Sequence, residues 1–136
     1  MFGECAERKG GKMNTRQAGN FWEEAAAAYL ERAGVEILAR NFRCSRGEID
    51  IIGFHQGCLV FFEVKYRKDD RFGQAAEAVD VRKQEKICRS ADFYLYRHRE
   101  FSDTGVRFDV VAVWKDRIEW IQNAFDYRRA GRWNRR

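Results

Sequence analysis

Early in the chain, apolar positions recur at helical spacing. Trp22, Ala25, Ala26, Tyr29, Leu30 and Ala33 share one face of a helix predicted over residues 19–33. Gly34 follows, where a glycine accepts the left-handed backbone that closes a helix. Residues 35–44 read as an extended segment with Ile37 and Leu38, and Ser45–Gly47 as a turn. Residues 47–67, GEIDIIGFHQGCLVFFEVKYR, then hold two strand-like runs on either side of Gln56-Gly57. After a charged loop, RKDDRFGQ, a second helix is predicted over 80–97, with Ile87, Ala91, Tyr94 and Leu95 on one side and Asp80 as its cap. VRFDVVAVW and RIEWIQNAF are closing strands joined by a tight turn at Lys115-Asp116. Helix, three strands, helix, two strands predicts an α/β fold: a mixed β-sheet flanked by helices.

Composition supports one folded domain. With 136 residues, 45% of them hydrophobic and 35% charged, the chain has enough apolar surface to build a core. No run approaches the roughly 18 apolar residues of a membrane span, and the first residues lack the apolar region of a secretory signal. The expectation is a soluble cytoplasmic protein with no membrane partner. Cys5, Cys44, Cys58 and Cys88 form no CxxC pair, and His55 and His98 are far apart, which argues against zinc. Cys44, Cys58 and Cys88 read as small apolar fillers in a reducing compartment.

The net charge of +5 is a property of the ends: residues 126–136 carry +4 and residues 1–18 carry +2, leaving −1 for 19–125. The predicted organisation is a flexible segment at 1–18, an α/β domain at 19–125 and a basic tail at 126–136. Basic ends suit a polyanion and equally suit simple solubility.

The hairpin carries the candidate chemistry. A two-residue turn at Gln56-Gly57 sets Ile52 opposite Phe61, Asp50 opposite Glu63 and Glu48 opposite Lys65. Strand alternation places Glu48, Asp50 and Ile52 on one face, and Leu59, Phe61, Glu63 and Lys65 on one face of the partner. Facing carboxylates destabilise a sheet unless they share a proton or hold a cation. The competing reading is the wet face of an antiparallel pair. Against it, CLVFFEV is apolar on both faces, as a strand covered on both sides is. Hard carboxylate oxygens without His or Cys suit Mg²⁺ or Mn²⁺, held by Asp50, Glu63 and the backbone carbonyl of Val64. Lys65 would then orient a nucleophile or stabilise charge on a phosphorus centre.

These residues resemble a known signature. GEID at 47–50 followed by EVK at 63–65 is similar to the D…ExK pattern of the restriction-endonuclease-like (PD-(D/E)XK) nuclease superfamily. Together with EEAAAAYL at 23–30, ILARNFRC at 37–44, RKQ at 82–84 and VRFDVVAV at 106–113, they resemble the YraN family of bacterial proteins over residues 19–125. The resemblance implies a restriction-endonuclease-like core and nucleic acid, DNA first, as the ligand. Holliday-junction resolvases of this superfamily place a metal-site Glu on the first helix, a role that falls to Glu23. The helical wheel sets Glu23 at the edge of the apolar stripe and Glu24 nearly opposite. Gln84 matches a position where related nucleases keep a Gln facing the site. Two departures stand out: Cys88 replaces the Tyr that often follows that Gln, and Trp22 replaces the small Gly before the helix Glu.

Phosphate contacts are expected from Arg43, Arg46, Arg67, Lys68, Arg71, Arg82, Lys83 and Lys86, all close in sequence to the acids or on the second helix. Trp114 and Trp120 read as core or cross-strand partners. Asp109, which interrupts an apolar strand, is open between an acid supporting the site and a structural ion-pair partner. The leading functional expectation is a Mg²⁺- or Mn²⁺-dependent DNA endonuclease, structure-selective in its substrate. The alternative is a nucleic-acid-binding module that keeps the fold without useful catalysis. Cutting two strands calls for two sites, hence a homodimer.

Overall fold

The computed structural model describes residues 15–68 and 79–128. Helix α1 runs Thr15–Arg32 and strands β1, β2 and β3 run Glu36–Cys44, Gly47–His55 and Cys58–Tyr66. Helix α2 covers Val81–Arg97, a short 3-10 turn covers Arg99–Phe101, and β4 and β5 run Gly105–Val113 and Ile118–Phe125. The sheet has the order β1-β2-β3-β4-β5. Strands β1 to β3 form an antiparallel meander, α2 carries the chain over to a parallel β4, and β5 returns antiparallel. This is the expected mixed sheet with a helix on each side.

Each helix covers one face. Ala26, Ala27 and Leu30 of α1 pack on Val35, Ile51, Val60, Phe62, Val111 and Val113. Ile87, Cys88, Ala91 and Tyr94 of α2 pack on Ile49, Ile52, Leu59, Phe61, Phe108 and Val110. The apolar run of β3 therefore splits between both layers, which is why it shows no polar face. Leu30, fully buried, contributes about 1.5–3 kcal/mol of apolar transfer free energy.

Local signals explain the element ends. At the close of α1, the Gly34 amide donates to the Glu31 carbonyl and the Val35 amide to the Leu30 carbonyl, with Gly34 at φ 102°. That is the paired-bond helix ending glycine favours, and Val35 and Leu30 meet in the core beside it. Asp80 caps α2, its side chain accepting from the Lys83 amide at 2.9 Å. Gln56 and Gly57 both have positive φ, the conformation of a type I′ hairpin turn.

Two boundaries differ from expectation. Helix α1 starts at Thr15, four residues before the predicted Gly19. The predicted end of the domain at 125 is passed by Tyr127, whose ring packs on the α2-side core and whose hydroxyl donates to Asp92. Arg128 also engages α2, through its amide to Cys88 Sγ at 3.4 Å. Residues 1–14 and 129–136 lie outside the described residues, as does Arg71.

Candidate functional site at the end of strands β2 and β3

The predicted pairing holds through the hairpin, with His55 opposite Cys58, Ile52 opposite Phe61 and Ile51 opposite Phe62. There the ladder stops. Asp50 and Glu63 are not joined as a ladder pair, because beyond Ile51–Phe62 the Asp50 carboxylate engages the β3 backbone. Its Oδ2 accepts the Val64 amide at 2.8 Å. A side chain thus replaces the backbone partner that Val64 would have had in a continued ladder.

The face assignment of β2 is also corrected. Ile51 belongs to the α1-side core, whereas Ile49 and Ile52 both belong to the α2-side core. Strict alternation would put Ile49 with Ile51. The cause lies across the β1–β2 ladder, where Asn41 sits between the paired residues Arg40 and Phe42 with φ 54°. On one side of Asn41, Arg40 reaches α1 through Glu24 at 3.0 Å; on the other, Phe42 meets Tyr94 of α2 edge to face. Both strands change faces at this level, and Asp50 stands at the turning point rather than on the face of Ile52. Asn is among the few residues that accept a left-handed backbone, and its presence inside ILARNFR was the available signal.

Because Asp50 stands at that turning point, it meets acids from both layers. Glu63, buried, comes from β3; Glu23, half-buried, comes from α1. Burial pushes the Asp50 carboxyl up to about 8, helped by the charges of Glu63, Glu23 and Glu48 and opposed by the Val64 amide. Burial and then the Glu48 charge also raise Glu23, whose carboxyl makes hydrogen-bond contact with Asp50. Its Oε1 is buried without a hydrogen-bond partner. Both carboxyls are therefore shifted toward the protonated form. Glu24 is exposed, as expected, and accepts from Arg40 at 3.0 Å.

The cation at the site is Lys83, whose Nζ lies 3.2 Å from Glu63 Oε2. Burial by itself lowers the Lys83 ammonium, but Glu63, Asp50 and Glu48 outweigh it and leave the group raised. Lys83 was expected to be a phosphate contact; its position on Glu63 needed the long-range packing of α2 and had no local signal. Gln84 is not turned to the acids: its side-chain amide donates to the Val79 carbonyl at 2.9 Å. Lys65 lies two residues beyond Glu63 on β3, partly buried and beside Ala112 of β4. Trp22, just before Glu23, stacks on Tyr66, just after Lys65, with ring centroids 4.4 Å apart. The departure from a small residue before Glu23 thus builds an aromatic wall next to the acids.

Among the described residues no group of three or more His, Cys, Asp or Glu is drawn together tightly enough to hold an ion as it stands. The donor chemistry nonetheless fits a hard divalent cation. Asp50, Glu63 and the unpartnered Glu23 oxygen offer carboxylates, and the Val64 carbonyl shares the lateral direction of the amide that meets Asp50.

The expected basic residues fall into groups. Arg46, Lys68, Arg82 and Lys86 are exposed, and Arg67 is half-buried with its amide on the Val113 carbonyl. Arg43 is exposed and pairs with Glu48 at 3.4 Å. Asp109 turns out to be structural: fully buried, it accepts from Arg107, from Trp120 Nε1 at 2.8 Å and from the Asn123 amide, while Arg107 also contacts His55. Trp114 is buried and Trp120 packs on the α1-side core. No helix among the described residues is long and apolar enough to cross a membrane.

Residues 22–113 match the family described as Uncharacterised protein family UPF0102. A UPF0102 protein of Lachnoclostridium phytofermentans is 46% identical over 84% of this chain and 97% of its own length. Relatives of the same description from Photobacterium profundum and Pseudomonas fluorescens are 45% and 38% identical, over 82% and 81% of this chain and 91% and 93% of theirs. The matched span runs from Trp22, beside Glu23, to the end of β4, and so includes every acid of the site. The chain belongs to the UPF0102 family, in keeping with its YraN-type resemblance.

Proposed function

We propose that the protein is a metal-dependent endonuclease that hydrolyses DNA phosphodiester bonds, with Asp50, Glu63, Glu23 and the Val64 carbonyl as the Mg²⁺ or Mn²⁺ site. The observation that carries this reading is Asp50. A partly buried carboxyl pushed up to about 8 by desolvation, and further by the charges of Glu63, Glu23 and Glu48, is a poor structural choice unless a cation relieves it. A divalent ion bound there would lower the pKa of a water and offset charge growing at phosphorus. Glu63, Glu23 and Asp50 would hold the ion, and Asp50 would bind it in its deprotonated form. Lys65, two residues beyond Glu63 on β3, would orient the attacking group or stabilise the transition state. Exposed Arg46, Lys68, Arg82 and Lys86 would hold phosphates around the site. The setting is the cytoplasm, and double-strand cutting would use a homodimer. Incubation of the purified protein with branched, flap and single-stranded DNA plus either metal tests the proposal. Cleavage that disappears in Asp50→Asn supports it, and equal products from both proteins overturn it.

A second reading has its own observation. With Lys83 on Glu63 and the Asp50 carboxyl pushed up to about 8, much of the negative charge of the resting site is already offset without metal. That favours a nucleic-acid-binding module in which binding is salt-sensitive, indifferent to metal and unchanged by Glu63→Gln.

A further inference from the structure

An open apolar groove of about 590 Å³ lies beside the acids, on the α1 side of the sheet. Phe21, Trp22 and Tyr29 of α1 form one wall; Trp114, Ile118 and the turn at Lys115-Asp116 form the other. Its position follows from the register. Tyr66 pairs with Val113, which lines the groove, and Trp22 stacks on Tyr66 between groove and acids. Two strand spacings across the sheet and at least two residues along β4, from Val111 beside Val64 to Val113, put the groove centre about 12–15 Å from the β2–β3 gap that holds Asp50. Lys115 and Arg117 line the groove; Arg117 lies 4.0 Å over the Trp114 ring and pairs with Asp116 at 3.7 Å, so the positive charge this pair leaves over is that of Lys115. Asp116 is the one acid of that lining.

We infer that this groove takes an unpaired nucleobase from the DNA strand whose phosphate is held at Asp50 and Glu63. The inference rests on the proposed nuclease reading and deepens it, naming as substrate a strand with an unstacked base beside the scissile bond. The partly exposed rings of Phe21, Trp22 and Tyr29 can accept any base through its π-face, while Lys115 at the rim meets a flanking phosphate. The Trp22–Tyr66 stack makes one continuous surface from groove to acids, so neighbouring nucleotides of a single strand can occupy both. A fully paired duplex cannot, since its bases are already stacked.

The test uses the full chain in metal-free buffer with EDTA, so that no cleavage intervenes. The probe is a single-stranded DNA carrying 2-aminopurine, compared with the same strand fully paired. The expected results are strong quenching or enhancement of 2-aminopurine fluorescence on binding and a preference of about 10-fold for the single strand. Phe21→Ala and Ile118→Glu should each lower single-strand affinity about 10-fold while leaving duplex affinity within about two-fold. Equal affinity for the two DNAs, or unchanged 2-aminopurine emission, overturns the inference and needs no variant to read. A change of sedimentation coefficient in Ile118→Glu without loss of single-strand binding also overturns it, assigning the groove to a second copy of the chain. Single-strand preference without cleavage in Mn²⁺ would defeat catalysis alone, and cleavage without that preference would defeat the groove alone.

Discussion

Lys83 Nζ lies 3.2 Å from Glu63 Oε2, an ammonium standing beside the buried acid that a divalent ion would need. An internal cation and an external one would then compete for the same carboxylate. Lys83→Gln should lower the stability of the metal-free protein by about 1–2 kcal/mol, discounted because about half of the Lys83 side chain is in water. It should also enlarge the rise in Tm produced by Mn²⁺, because Glu63 is released. Thermal melting with and without Mn²⁺ reads both effects. An unchanged Mn²⁺ response would mean that Lys83 serves phosphates only.

Asp50 makes the metal-free protein sensitive to alkali. Its folded pKa, about 8, is above the ordinary 3.8, so the folded state holds this proton more tightly than the unfolded chain. The resulting stabilisation is complete below the ordinary value and is lost as pH rises through 8. Its slope reaches at most about 1.4 kcal/mol per pH unit. Melting of the apo protein from pH 5 to 9 should show a falling Tm, and Asp50→Asn should flatten that fall. Mn²⁺ should restore stability most at the alkaline end, where it no longer competes with the proton.

How much of this was legible beforehand differs by residue. Gly34, Asp80 and the Gln56-Gly57 turn announce their elements because cap and turn chemistry is local. The hairpin register follows from that turn, and the apolar faces of α1 and α2 from their periodicity. The turning point at Asp50 was not readable from alternation, since a single left-handed residue, Asn41 on the neighbouring strand, breaks it. Lys83 meets Glu63 through the docking of α2, for which neighbouring residues carry no information, whereas Gln84 is drawn to the Val79 carbonyl by a local contact at the start of its own helix.

Lys65 separates chemistry from binding. Lys65→Ala should lower the rate of DNA cleavage by about 10²–10³ while changing DNA affinity only a few-fold, as loss of a group acting on the transition state does. Single-turnover kinetics beside equilibrium binding make the distinction. A loss confined to affinity would move Lys65 to the phosphate-binding set.

Asp109 offers a control away from the acids. Asp109→Asn leaves Arg107 without its buried counter-charge and should cost about 3–5 kcal/mol in chemical denaturation. Protein that remains folded at low temperature should keep its Mn²⁺ response, since Asp109 belongs to a separate network.

The most direct measurement is anomalous scattering at the manganese edge from crystals soaked in Mn²⁺ at alkaline pH. Convergence of side chains from α1, β2 and β3 on one ion predicts a single strong peak within bonding distance of Asp50 and Glu63, with Lys83 displaced from the carboxylate. No peak there, with the Lys83 ammonium still seated on Glu63, would contradict it.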